Sequence, residues 1–342
     1  MDQFQTPASP PPHSRTRVTS VTALLDRLDG ELQAGQIPDL HNYETGFRVL
    51  DETISGGLHP GELALMGGPP GVGKTIVTLQ WARNMARKGA KVLFICYEHE
   101  ELSLLTRLIC LEAGELGGDR DVARAVSSAL LRGAEAKTAL AAALGDSEIV
   151  KAALENVSGY ADNLTLVRAS GAHTGLPEIQ DLVDTGDRVD VIFLDYIQKI
   201  PIVPHPPTES EKITRTVEAL KELSLSAHVP IIAISAVDTE GLRADRLRLH
   251  HLRGSSALAF ECDVALILNE KIDAVSKVHL AYDPIRAATF ADWVIMSVEK
   301  NRGGPNLIDL EFRKDFAHYR FDPDGGQVAE KLINERSDEE LM

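Results

Sequence analysis

The stretch ELALMGGPPGVGKT, residues 62 to 75, ends in a lysine and a threonine that follow a run of glycines and prolines. Gly68, Pro69, Pro70, Gly71, Val72, Gly73, Lys74 and Thr75 satisfy G-x-x-x-x-G-K-[ST], a loop whose backbone N–H groups can turn inward around phosphate oxygens. In that chemistry Lys74 reaches the β- and γ-phosphates and the Thr75 hydroxyl ligates Mg²⁺. ATP and Mg²⁺ are therefore the expected cofactors. Holding the hydrated metal takes a second acid at the end of a neighbouring apolar strand. Asp195 stands there, after Val191, Ile192, Phe193 and Leu194. Hydrolysis also needs a group that orients or deprotonates the attacking water. Glu98, closing KVLFICYE, is the candidate, and Glu100 competes if the strand runs on, although an acid at a helix start suits Glu100 better. Gln198, three residues after Asp195, is either part of this machinery or a polar residue leaving a strand.

Two sets of cations are placed for further chemistry. Lys300 and Arg302, one residue apart, follow the apolar run ADWVIMSV and precede another strand, so they should sit on a hairpin and can point the same way. The stretch EGLRADRLRLHHLRGSS, residues 240 to 256, carries Arg243, Arg246, Arg248 and Arg253. Its positive charge and Gly254 suit contact with a single-stranded phosphate backbone. It contains no stacking aromatic, so that binding should be tolerant of sequence. The competing reading is a solvated face paired with Glu240 and Asp245.

Positioning these residues requires strands that end in loops. Six short apolar runs read as buried strands: 62–67, 91–98, 164–169, 191–197, 230–237 and 264–269. Helical patterns such as TIVTLQWARNMARKG and RTVEALKELSLSAH lie between several of them. That alternation predicts an α/β fold, a mostly parallel twisted sheet flanked by helices. ADWVIMSVEKNR, NLIDLEFR and AHYRFD add later antiparallel strands, and residues 113 to 160 read as a helical excursion. Upstream, Val21, Leu24, Leu25, Leu28 and Leu32 recur at three- and four-residue steps, giving one apolar stripe of a helix that ends at Gly35. The expected divisions are a disordered tail over 1–19, a linker helix and connection over 20–44, an ATPase domain over 45–321, and a solvated acidic tail over 322–342.

Composition sets limits on partners. The chain has 342 residues with a formal net charge of −16, so a nucleic-acid groove must be a local basic patch on an acidic body. No apolar run approaches the roughly 20 residues of a membrane helix, and the N-terminus lacks a signal-peptide core. Three widely spaced cysteines fit reduced thiols and a cytoplasmic location.

Taken in order, TGFRVLDETISGGLHPGELALMGGPPGVGKT, VLFICYEHEELSLLTRLI, VIFLDYIQ, VPIIAISAV, HLRGSSALAFECDVALILNE and VEKNRGGPNLIDLEF resemble the RecA-like C-terminal ATPase domain of replicative hexameric helicases of the DnaB type, over about residues 45 to 321. The resemblance implies a ring-forming, Mg²⁺-dependent P-loop ATPase that couples hydrolysis to translocation on single-stranded DNA and duplex unwinding, in replication or repair. It makes Glu98 the catalytic glutamate, Asp195 the magnesium aspartate, and Lys300 and Arg302 a pair that completes the next subunit's site. Arg253 and Gly254 match the loop lining the central channel. Two departures stand out. Ala236 occupies the position of the family's glutamine γ-phosphate sensor, and only about 45 residues precede the ATPase region, so no counterpart of the family's N-terminal domain is expected. Both departures favour an alternative, a regulatory or scaffolding ATPase of the RadA/KaiC sort with little or no unwinding.

Overall fold

Each of the six apolar runs forms a strand in the computed structural model, which describes residues 19–35, 42–136, 147–186, 188–275 and 284–333, with 138 and 142 besides. They are β1 (Leu63–Gly67), β2 (Val92–Cys96), β3 (Leu164–Arg168), β4 (Val191–Asp195), β5 (Ile231–Ile234) and β6 (Val264–Glu270). All six run parallel. The later strands β7 (Trp293–Asn301), β8 (Ile308–Asp315), β9 (Arg320–Phe321) and β10 (Gly326–Gln327) add an antiparallel flank. The order across the sheet is β10-β8-β7-β6-β1-β5-β4-β2-β3, with β9 paired to β8 off that path. Every residue of β1, β2 and β4 is buried, the consequence of a parallel sheet covered on both faces and the reason these strands read as unbroken apolar runs.

The main helices are α1 (Val21–Gln33) and, against the sheet, α2 (Arg48–Thr53), α3 (Lys74–Arg87), α4 (Glu101–Glu115), α5 (Val122–Ala136), α6 (Glu148–Tyr160), α7 (Leu176–Thr185), α8 (Glu209–Ala227) and α9 (Ser255–Glu261). One face of the sheet packs Phe94, Phe193 and Phe312 with Trp81 of α3 and Leu108 of α4. The other packs Ile192, Leu194 and Ile231 with Val217 and Leu220 of α8. The helical excursion is realised as α4, α5 and α6. Helix α1 stands apart: Ser20 caps it by accepting from the Ala23 amide, while Val21, Leu25 and Leu32 of its stripe are exposed.

One boundary differs from the expectation. Residues 322 to 333 are not a solvated tail. Gly326 and Gln327 pair with Glu311 and Leu310 on the open edge of β8, the Val328 amide donates to the Asp309 carbonyl at 3.1 Å, and Ile333 to Ala274 at 2.9 Å. Glu330 pairs with the buried Lys271 at 2.8 Å. An unpaired strand edge offers backbone groups that a following segment can satisfy, and acidic composition did not prevent it. Residues 1–18 of the disordered tail expected over 1–19, and the final residues 334–342, lie outside the described residues.

Candidate functional site

The loop from Gly68 to Thr75 leaves the carboxyl end of β1, the central strand, and runs straight into α3. Gly73 is the residue before the helix, at φ 100°. A side chain there would meet Phe316 and Phe321 at 2.7 Å, so both conformation and space require glycine. The first-turn amides of α3 are thereby aimed, with the positive end of the helix, at a cavity of about 440 Å³, the arrangement that binds phosphate. Gly68, Pro70, Gly71, Gly73, Lys74 and Thr75 line it, facing Glu98 and Asp195. Pro69 contributes its carbonyl, and Val72 turns inward, 1% exposed. The Lys74 ammonium is held on the Gly68 and Pro69 carbonyls at 2.8 and 2.9 Å. Burial pulls its pKa down, while Asp195 and Glu98 pull it up.

Thr75 Oγ1 donates to Asp195 Oδ2 at 2.7 Å, bringing together the two groups expected at the metal. Asp195 is 2% exposed. Burial pushes its carboxyl up to about 6, against the Thr75 hydrogen bond that lowers it, with the Glu98 charge raising it further. A buried carboxylate beside a hydroxyl is a set of hard oxygen donors, and the cations near this one, Lys74 and Arg107, act on it only through longer-range charge. Both features fit Mg²⁺. Glu98 is exposed and faces the same cavity. Strand β2 stops at Cys96, short of the expected end: the Tyr97 amide still donates to the Asp195 carbonyl of β4 at 2.7 Å, and the chain bends over residues 97–99. Glu100 is the residue before α4 and pairs with Arg168 at 2.8 Å, outside the cavity lining.

Arg107 and His99 also line the cavity and were not anticipated. Arg107 approaches His99 Nδ1 at 3.5 Å and lies over the Tyr319 ring, 5.4 Å from its centroid. The signal was available: Arg107 is a lone cation between the buried Leu104 and Leu108 on the helix that follows Glu98.

Gln198 requires a correction. Its side chain is buried and spent between two strands, accepting from the Ala236 amide at 3.0 Å and donating to Ser235 Oγ at 3.0 Å. It braces the ends of β4 and β5 and is not among the residues lining the cavity. The cavity wall opposite the phosphate loop is formed instead by Ile234, Ala236, Val237 and Leu242, so the position of the missing glutamine is apolar.

The basic stretch folds back on that same wall. Arg253 donates its amide to the Ala236 carbonyl at 3.0 Å, and Val237 bridges to Leu252. Gly254, at φ 84°, precedes α9, and a side chain there would strike Ile213 of α8 at 2.6 Å. Of its four arginines, Arg243 and Arg253 are exposed. Arg253 pairs with Glu209 at 2.9 Å, a surface contact of small energy that a phosphate can displace. Arg246 is a second correction: it is 5% exposed, and its guanidinium bonds Asp309 at 2.6 Å and Ser297 at 3.3 Å, so it holds the loop to β7 and β8 rather than meeting a ligand. Arg248 is half-buried and paired with Glu299 at 2.8 Å.

Lys300 and Arg302 lie at the end of β7 as expected, and both contact their own chain. The Lys300 ammonium donates to the carbonyls of Ala259 at 2.7 Å, Cys262 at 2.5 Å and Phe260 at 3.3 Å, at the carboxyl end of α9. Arg302 bonds the Phe260 carbonyl at 2.6 Å and the Asp263 carboxylate at 3.1 Å, with half of its side chain still exposed.

The family model described as DnaB-like helicase C terminal domain matches residues 43–321. A replicative DNA helicase DnaB of Treponema pallidum is 26% identical over 291 residues, 82% of this chain and 56% of that protein. A DNA repair protein RadA of Campylobacter jejuni is 42% identical over a 71-residue stretch, 21% of this chain and 16% of that protein. Among solved structures, a DnaB-like replicative helicase, described together with its interactions with primase, superposes with a TM-score of 0.64 at 19% identity. The match covers 89% of this chain and 67% of that one and is a likeness of fold. The chain spans about half the length of the curated helicases it matches.

Proposed function

Because the chain belongs to the DnaB-like helicase C-terminal domain family, we infer that it is a Mg²⁺-dependent ATPase that assembles as a ring, a hexamer as the family resemblance implies, and uses ATP hydrolysis to move along single-stranded DNA and unwind duplex in replication or repair. The observation that carries the reading is where the site's parts lie along β1. The phosphate loop leaves its carboxyl end. Arg302 is tied through Asp263 to Leu63 at its amino end. Five strand residues separate the two, roughly 16 Å, further than an arginine side chain reaches. That distance supports a role for Arg302 on a neighbour's nucleotide, and a site completed by the next copy implies a ring or a filament, a ring where the rotation between copies closes.

Within one site the roles divide by chemistry. The loop amides and Lys74 bind the phosphates. Thr75 and Asp195 would hold Mg²⁺, which would supply neutralisation of the phosphate charge. Glu98 orients the attacking water and takes its proton. Arg302, with Lys300 two residues before it, stabilises charge on the phosphoryl group of the adjacent subunit. Arg243, Arg253 and the backbone at Gly254 meet the DNA phosphates. The Ala236–Arg253 backbone bond gives a direct link from nucleotide cavity to DNA loop that needs no glutamine.

The test is the ATPase rate with and without single-stranded DNA. Stimulation supports translocation, and an unchanged rate without DNA binding at low salt refutes it. A second reading, a regulatory or scaffolding ATPase, is favoured by one observation, the apolar wall at Ala236. Strand displacement separates the two: a regulatory ATPase hydrolyses ATP without separating strands.

A further inference from the structure

The residue that holds Arg302 in place is Asp263, and its bonds point both ways. Its backbone and side chain are clasped to the first residue of β1: Asp263 N donates to Leu63 O at 2.8 Å, and Leu63 N donates to Asp263 Oδ2 at 2.8 Å. Lys221 of α8 reaches the same oxygen at 2.7 Å. The remaining oxygen, Oδ1, accepts from Arg302 Nη1 at 3.1 Å, and the Asp263 carbonyl accepts from the Arg302 amide at 2.9 Å. The carboxylate side chain is 8% exposed against 52% for the arginine, so a buried, thrice-anchored group grips one edge of a solvent-facing guanidinium. Around the pair lie the Lys300 ammonium and the carbonyl end of α9, with the Glu62 carboxylate beside Asp263.

We propose that Asp263 is the positioning residue of the trans-acting Arg302, fixing its backbone and one face of its guanidinium relative to the strand that carries the chain's own phosphate loop. This rests on the reading of Arg302 as completing a neighbour's site. The Asp263 carboxylate takes one N–H of Nη1 and the Phe260 carbonyl one of Nη2, which leaves three of the five guanidinium N–H groups for the phosphoryl oxygens of the adjacent subunit. An unheld arginine on a hairpin end samples many rotamers, and displacement by about 1 Å costs about 100-fold in rate where geometry is critical. The link to Leu63 also couples the orientation of Arg302 to any movement of β1 when its own phosphate loop fills or empties.

The experiment uses full chains with Asp263→Asn, Asp263→Glu and Arg302→Ala, alone and mixed with Lys74→Ala protein. Alone, Asp263→Asn should lower kcat about 10- to 100-fold with the KM for ATP within about twofold. In mixtures, a Lys74→Ala subunit supplies an intact Arg302 to the undamaged phosphate loop of an Asp263→Asn neighbour, so activity should partly return. A purely structural role for Asp263 would damage β1 and the nucleotide site of the same chain, raising KM and leaving the mixture silent. That result overturns the proposal, as does full activity of Asp263→Asn. The Arg302→Ala and Lys74→Ala mixture is the control. If it recovers and the Asp263 mixture does not, only the positioning role fails. If the control itself stays silent, the trans reading of Arg302 fails and the proposal with it. Should Asp263→Asn not fold, Asp263→Glu keeps the charge for Lys221 while displacing the carboxylate by one methylene, and its mixture is read the same way.

Discussion

The hydroxyl of Thr75 and the carboxylate of Asp195 meet at 2.7 Å, although 120 residues separate them in the chain. The bond joins the first turn of α3 to the end of β4 and places the two expected magnesium ligands together without the metal.

Asp195 is costly to the metal-free protein. Its folded pKa of about 6 lies above the ordinary aspartate value of 3.8, so its contribution to stability is most favourable below pH 4 and is lost as pH rises through about 6. Asp195→Asn keeps an acceptor for Thr75 and removes that penalty. The metal-free variant should melt higher than wild type, by more at pH 7.5 than at pH 5, with the full penalty on the order of 3 kcal/mol. The same variant should lose Mg²⁺-dependent hydrolysis. Thermal melts at the two pH values, with chelator, check the sign.

Glu98 and Glu100 separate cleanly. Glu98→Gln should bind ATP normally and hydrolyse it about 10²- to 10³-fold more slowly. Glu100→Gln, which loses only an exposed partner of Arg168, should stay within about twofold. The reverse pattern in ATP-binding and turnover assays would show that the wrong acid has been assigned.

The arginines of the basic loop should divide the same way. Arg246→Ala leaves Asp309 with a lost charge partner and should destabilise the fold by about 3 kcal/mol, a drop seen in thermal melts whether or not DNA is present. Arg253→Ala and Arg243→Ala should leave the melt unchanged. Each should weaken single-stranded DNA binding and reduce the salt dependence by about one phosphate contact. Binding isotherms at several salt concentrations would expose an Arg253 that only pairs with Glu209.

What could be read from the residues was what is local. The phosphate loop, Asp195 and the strand–helix alternation are written in contiguous residues, because a buried parallel strand and the turn it feeds need no distant partner to be recognised. Arg246 and Gln198 could not be placed that way. Their partners, Asp309 and Ser235, lie 63 and 37 residues away, and nothing in a run of arginines distinguishes the one that turns inward. Residues 322–333 looked solvated because their pairing is supplied by the edge of β8, not by their own hydrophobicity. Arg107 could have been found, as a cation on an otherwise apolar helix face directly after the catalytic candidate.

The central claim, a nucleotide site completed by the next copy of the chain, is tested most directly by mixing two inactive proteins. Arg302→Ala alone should retain ATP binding and lose turnover by about 10³-fold or more, and Lys74→Ala alone should be inactive. Combined in one assembly, they should recover a fraction of wild-type ATPase activity that rises and falls with the mixing ratio, because Lys74→Ala subunits lend Arg302 to intact phosphate loops. No recovery at any ratio, in mixtures shown by mass to contain both proteins, would contradict the account.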